Sequence, residues 1–113
     1  MAVVYVIQKQ MRYDERRKGL VSRFNLEPAK QYGELVFLLD TAAEPFNPEP
    51  VLKVLRERLE PITAEDYLLL VGNPCLIGWA TAIAADRTDG DVNLLQWRAR
   101  ERRYLAVSAN VFR

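Results

Sequence analysis

Three stretches of the chain are apolar at nearly every consecutive position: Val3 to Ile7 (VVYVI), Glu34 to Leu39 (ELVFLL) and Tyr67 to Val71 (YLLLV). Unbroken apolar runs of this length are expected of strands covered on both faces, whereas a half-exposed strand alternates. The first is placed inside a sheet and the third, with no polar position, at its middle. Between the second and third runs, Asn47-Pro48-Glu49 combines a capping residue, a proline suited to the first helical position and a carboxylate at the positive end of the helix dipole. The helix that follows, PEPVLKVLRERLE, sets Val51, Leu52, Leu55 and Leu59 on one face and Lys53, Arg56, Glu57 and Glu60 on the other, as in a helix lying on a sheet. Pro61 stops it, and Thr63 with Asp66 forms a capping pair for one short turn.

Gly72-Asn73-Pro74 repeats the cap-and-proline logic and opens a second helix. From Cys75 to Ala85 its only hydroxyl is Thr81. Leu76, Ala80, Ile83 and Ala84 share a face flanked by Ile77 and Trp79, and a helix apolar nearly all round is expected to be buried on more than one side. Gly78 and alanines 80, 82, 84 and 85 permit close approach, and Gly90 fits a C-terminal cap. Residues 93–112 read as a C-terminal β-hairpin. Leu105, Val107, Ala109 and Val111 alternate, and placing them on one face with Leu95 and Trp97 requires an odd-numbered loop centred on Glu101. The alternative pairs Trp97 with Tyr104 through an even loop. Residues 9–31 show no sustained period and read as a long basic loop with a helical turn near Tyr13 to Lys18. The order β-β-α-β-α-β-β predicts an α/β (α+β) fold in a single domain, 1–113, with a mixed sheet of about five strands and two helices. If both helices take one face, the other must be covered by the basic loop or by a second copy of the chain, which makes a homodimer one expectation.

Composition narrows the class. Half of the 113 residues are apolar and 27% are charged, enough for one core and against disorder. No run suits a membrane span or a signal peptide, and a single cysteine fits a reducing cytoplasm. The net charge of +1 is unevenly spread. Residues 9–24 hold six basic against two acidic residues, 93–113 hold five against one, and 25–92 hold five against twelve. Such a chain carries local fields of both signs.

Candidate chemistry is sparse. There is no histidine, which removes the common acid-base and zinc constellations, so no metal or cofactor is expected. Cys75 lies near a helix N-terminus, where a thiol can be activated, but a small buried apolar role is the simpler reading. Gly72, Asn73 and Cys75 form a corner of the kind that binds anions or nucleotides, although the phosphate-loop spacing is missing. Glu65-Asp66 and Asp86, Asp89 and Asp91 fit capping and turns better than catalysis. The strongest candidate is a basic binding surface of Arg12, Arg16, Arg17, Lys18 and Arg23 with Arg98, Arg100, Arg102 and Arg103, among which Tyr13, Phe24, Trp97 and Tyr104 are interleaved.

VYVIQ, YGELVFLL, EDYLLLVGNPCLIGWATAIAA and LLQWRARERRYLAVS together resemble a family of small hypothetical proteins of tailed bacteriophages, in the same order along most of the chain. The DYLLLVGNP corner and the Trp-to-Tyr hairpin are the specific part. The resemblance implies a phage origin and a role in the host cytoplasm, with no catalytic residues to carry over, and the basic insertion Lys9 to Asn25 departs from its shorter loop. The expectation is a non-enzymatic binding or regulatory protein contacting a host or phage protein through the basic surface. Nucleic-acid binding by the same surface is the alternative, and nucleotide or anion binding at the Gly72 corner the third reading.

Overall fold

The computed structural model describes residues 1–113 and forms one small α/β domain. In chain order the elements are β1 (Val3–Gln8), β2 (Met11–Asp14), β3 (Gly19–Ser22), a 3₁₀ segment (Glu27–Tyr32), β4 (Glu34–Leu39), α1 (Pro48–Arg58), β5 (Tyr67–Leu69), α2 (Pro74–Arg87), β6 (Asp91–Arg98) and β7 (Arg103–Asn110). The main sheet has the order β4-β1-β5-β6-β7. β1 is parallel to both β4 and β5, β5 is parallel to β6, and β7 returns antiparallel to β6. The five-stranded mixed sheet, the two helices and the central place of Tyr67–Leu69 match the apolar runs.

The strand order reverses direction after β1: the chain moves to β4 on one side, then crosses back over β1 to β5. Right-handed crossovers place those two connections on opposite faces. Accordingly α1 and α2 pack Leu55, Leu59, Leu76, Ala80 and Ala84 against Tyr5, Ile7, Leu38 and Leu68 on one face. The other face, Val4, Val6, Leu69, Leu95 and Tyr104, is covered by Ala29, Leu26 and Tyr32 of the β1–β4 connection. Residues 26–32 of that connection, at the end of the segment read as a basic loop, supply this cover.

Three expectations are corrected. Residues 9–31 are not an open loop with a helical turn. Met11–Asp14 pairs with Gly19–Ser22 as an antiparallel hairpin, and the 3₁₀ segment follows. The Asp14 carboxylate accepts from the Arg16 N–H at 2.9 Å, and Lys18 adopts a positive φ of 50° before Gly19, so a tight turn replaces the helix. Second, α2 is buried on one side only. Cys75, Gly78 and Ala82 face outward, and because these side chains are small the exposed stripe leaves little apolar area in water. Third, the C-terminal hairpin uses the even loop, with Trp97 opposite Tyr104 and Arg98 opposite Arg103. Tyr104 is the deciding side chain. In this register it is fully buried beside Leu95, its ring is 4.9 Å from that of Trp97, and its hydroxyl donates to the Asn25 carbonyl at 3.0 Å. The alternating Leu105, Val107 and Ala109 go to the other face, beyond the reach of the helices.

Candidate functional site

Parallel strands carry their loops to one end. The carboxyl ends of β1 and β6 lie at the same end of the sheet, so the β2–β3 hairpin that follows β1 and the β6–β7 hairpin tip both rise from it. Both helices also begin there, at Pro48 and Pro74, and their dipoles add positive potential. The chain thus gathers its two basic segments, far apart in sequence, at one end of the molecule.

Each cation named from the sequence is solvent-exposed. Arg12 is on β2, Arg16, Arg17 and Lys18 form the first hairpin's turn, and Arg23 follows β3. Arg98 and Arg103 flank the second hairpin's turn, which carries Arg100 and Arg102. Glu101 is the only carboxylate within salt-bridge distance of any of them, 3.7 Å from Arg98 and 3.5 Å from Arg103. Seven of the nine therefore have no carboxylate partner. Exposed pairs of this kind contribute at most about 1 kcal/mol each, so these side chains are not required for stability.

Between and beneath the arms lie three hollows. A cavity of about 170 Å³ sits between the base of the first hairpin and the sheet, lined by Val6, Met11, Phe24, Leu26, Phe37 and Val71, with Gln8, Lys9, Gln10 and Ser22. A shallow groove of about 600 Å³ runs outside it past Arg12, Arg17, Arg23, Phe24 and Lys30. The third, about 390 Å³, brings Arg23, Phe24 and Asn25 of the first basic segment together with Gly72, Trp97 and Tyr104. Lys9 lies 5.7 Å from the Phe37 ring centroid and Arg23 lies 5.8 Å from that of Phe24, so cations and aromatic faces are interleaved here.

The Gly72 corner is closed from within. Gln8, 2% exposed at the end of β1, accepts from the Asn73 N–H at 2.8 Å and donates through its amide to the Ala43 carbonyl at 2.9 Å, with the Asp40 and Thr41 carbonyls at 3.2 and 3.3 Å. The Asn73 side chain accepts from the Cys75 N–H at 2.8 Å. Pro74 has no N–H. The Asn73 and Cys75 N–H groups, two of the donors that an anion at this helix start would use, are thus already engaged, and Gln8 sits at the crevice between β1 and β5 where the strand order reverses. Gly72 has φ +129°, and a Cβ there would lie 2.5 Å from the Gln8 Cβ, so the glycine is required for this close approach. Cys75 is exposed, not the buried small residue expected.

The carboxylate clusters named from the sequence, Glu65-Asp66 and Asp86, Asp89 and Asp91, fall at the other end. Asp66 accepts from the Val3 and Thr63 N–H groups at 2.8 Å each, tying the turn before β5 to the start of β1. Asp91 accepts from the Asn110 side-chain amide at 2.9 Å. No three His, Cys, Asp or Glu side chains converge as a metal-binding group. Two tyrosine pKa values are raised: Tyr104 by burial, and Tyr5 by burial first and by the nearby Asp66 charge second. No helix is long and apolar enough to cross a membrane.

Sequence reasoning misses Gln8 because an amide ending an apolar run reads as a strand exit. It misses the apolar cavity because the walls come from four separate segments. The family model of the phage Pam3 gp32-like proteins matches residues 2–111, and the chain belongs to that family. No curated protein and no solved structure matches the chain.

Proposed function

We propose that this phage protein is a non-enzymatic binding module that docks on an acidic surface of a host or phage protein, in the host cytoplasm, with the carboxyl end of its sheet. The observation that carries the reading is the combination found there: exposed cations, seven without a carboxylate partner, around an apolar cavity of about 170 Å³. Charge steers the encounter and fixes orientation, while a buried apolar anchor supplies most of the affinity. A cavity lined by Val6, Met11, Leu26, Phe37 and Val71 suits an aromatic or branched side chain, which a phosphate backbone does not offer. The near-neutral net charge favours a local contact over general attraction to nucleic acid.

Nucleic-acid binding is the second reading, favoured by the exposure of Tyr13 (60%) and Trp97 (38%) among the arginines, where bases could stack. Affinity capture from host lysate, with and without nuclease, separates the two. A protein retained after digestion, and lost when Arg98, Arg100, Arg102 and Arg103 are replaced by Ala, supports protein docking. Loss on digestion supports nucleic acid, and capture indifferent to the four substitutions removes this surface from both readings.

A further inference from the structure

The two edges of the main sheet are treated differently. At β4 the Arg58 guanidinium donates to the Leu38 carbonyl at 2.6 Å and reaches that of Phe37 at 3.5 Å, blunting the edge with a charged side chain. At β7 the one such contact is the uncharged Tyr32 hydroxyl on the Tyr104 carbonyl at the strand's start. The strand is eight residues long, and from Tyr104 to Phe112 it has no charge, proline or glycine. Leu105 is half-buried, while Val107, Val111 and Phe112 are 42%, 56% and 60% exposed.

The direction of its free backbone groups follows from one bond. Val111 N–H donates inward to the Gly90 carbonyl at 2.9 Å, so alternation along an antiparallel ladder turns the N–H and C=O of Ala106 and Ser108 outward. No backbone hydrogen bond outside the ladders reaches either residue. The next outward carbonyl, that of Tyr104, is taken by the Tyr32 hydroxyl at 3.1 Å.

We infer that β7 is a self-association edge, on which a second copy of this chain pairs antiparallel through its own β7 to make one continuous sheet across a two-fold axis. Self-pairing requires the outward groups to meet each other, and the register that overlaps Tyr104 to Asn110 in full is centred on Val107. Ala106 then exchanges both hydrogen bonds with Ser108 of the second copy, and Leu105, Val107 and Ala109 of both strands form one apolar strip beyond the helices. Charge agrees with this arrangement. Antiparallel pairing sets the Arg103 end of one copy beside the Asn110 end of the other, where Asp89 and Asp91 are exposed and held by the Asn110 amide at 2.9 Å. No like charges fall opposite each other within the paired strands. The basic ends then point in opposite directions, so the dimer is bivalent.

Sedimentation equilibrium of the full chain over a micromolar to millimolar series is expected to give twice the chain mass. Val107→Lys puts two like charges at the axis and is expected to weaken the dimer about tenfold or more, with an unchanged circular-dichroism melt of the diluted protein. Ala106→Pro removes an outward N–H and is expected to act in the same direction. Val107→Cys in a Cys75→Ala background is expected to form a disulfide-linked dimer on mild oxidation, since a non-hydrogen-bonded pair sets Cα atoms about 4.5 Å apart. A single-chain mass throughout the series, a dimer insensitive to Val107→Lys, or a dimer of the Val107→Cys variant that does not cross-link would overturn the inference.

Discussion

Replacing Gln8 by Leu tests whether one buried amide holds the carboxyl end together. Its side chain joins the end of β1 to the 40–43 loop and to the α2 corner, with an acceptor contact to the Asn73 N–H at 2.8 Å and a donor contact to the Ala43 carbonyl at 2.9 Å. Leucine fills similar volume but deserts both. A buried polar group left without a partner costs about 1–3 kcal/mol, and two such groups at the rim of the fold, where water recovers part of the loss, give about 3 kcal/mol in total. At about 2.1 cal/mol/K per residue, the 113 residues turn that into a fall in Tm of about 12 °C. The assay is thermal and urea unfolding followed by tryptophan fluorescence and circular dichroism. Gln8→Glu sharpens it. The carboxylate keeps the acceptor for Asn73 but turns a second oxygen on three carbonyls, so its folded pKa is raised. The folded state then binds more protons than the unfolded one above the unfolded value, and stability falls as pH rises. Gln8→Glu is therefore expected to be less stable at neutral pH than in mild acid, the reverse of ordinary acid denaturation. A Tm for Gln8→Leu within a few degrees of the parent, or no reversal in Gln8→Glu, would refute the claim that this amide is the tie.

The other expectations are more local. Gly72→Ala sets a Cβ against Gln8 at a positive φ and should cost about 2 kcal/mol or more, read as a lower urea midpoint. Asp66→Asn should lower the Tyr5 pKa while leaving it above the usual 10.0, because burial is the larger cause, and ultraviolet titration reads this directly. Tyr5 and Tyr104 titrate above 10.0 in the fold, so their contribution is intact below that pH and lost as pH rises through their raised values. Tyr104→Phe should flatten the alkaline loss while costing about 1 kcal/mol for the bond to Asn25. Exposed Cys75 should react with a thiol reagent in the native state as fast as in the unfolded chain.

The strands and helices are legible in the sequence because burial on both faces leaves a run such as YLLLV with no polar position, and because Asn-Pro pairs mark helix starts. The first hairpin is not, since Met11 to Asp14 and Gly19 to Ser22 are short, have no fully buried residue, and are joined by a turn made of charged residues. Only their pairing and the Asp14 turn make strands of them. The hairpin register misleads for a different reason. Counting apolar positions favours the face with Leu105, Val107 and Ala109, but one Tyr104 with a satisfied hydroxyl outweighs several smaller side chains left half in water. The basic residues of the candidate surface can be named from charge alone. That they share one end of the sheet follows only from β1 and β6 both running parallel to β5.

That last point also explains why the β1–β4 connection carries so much. Reversing the direction of winding after β1 obliges this segment to cross the face that the helices cannot reach, and it must supply apolar cover there. Residues 26–32 do so with Leu26, Ala29 and Tyr32. Residues 11–22 contribute little to that cover, and their exposed hairpin is therefore free to carry charge without loss of core. The same division appears at the other basic element: Tyr104 serves the core, while Arg98, Arg100, Arg102 and Arg103 project beyond it. The second arm is thus anchored in the core by Tyr104, and it meets the first where the Tyr104 hydroxyl donates to the backbone carbonyl of exposed Asn25. Cutting that contact should loosen both arms together, which makes Tyr104→Phe a test of the proposed surface as well as of stability. If the arms act as one surface, its loss weakens partner capture even at temperatures where the domain stays folded.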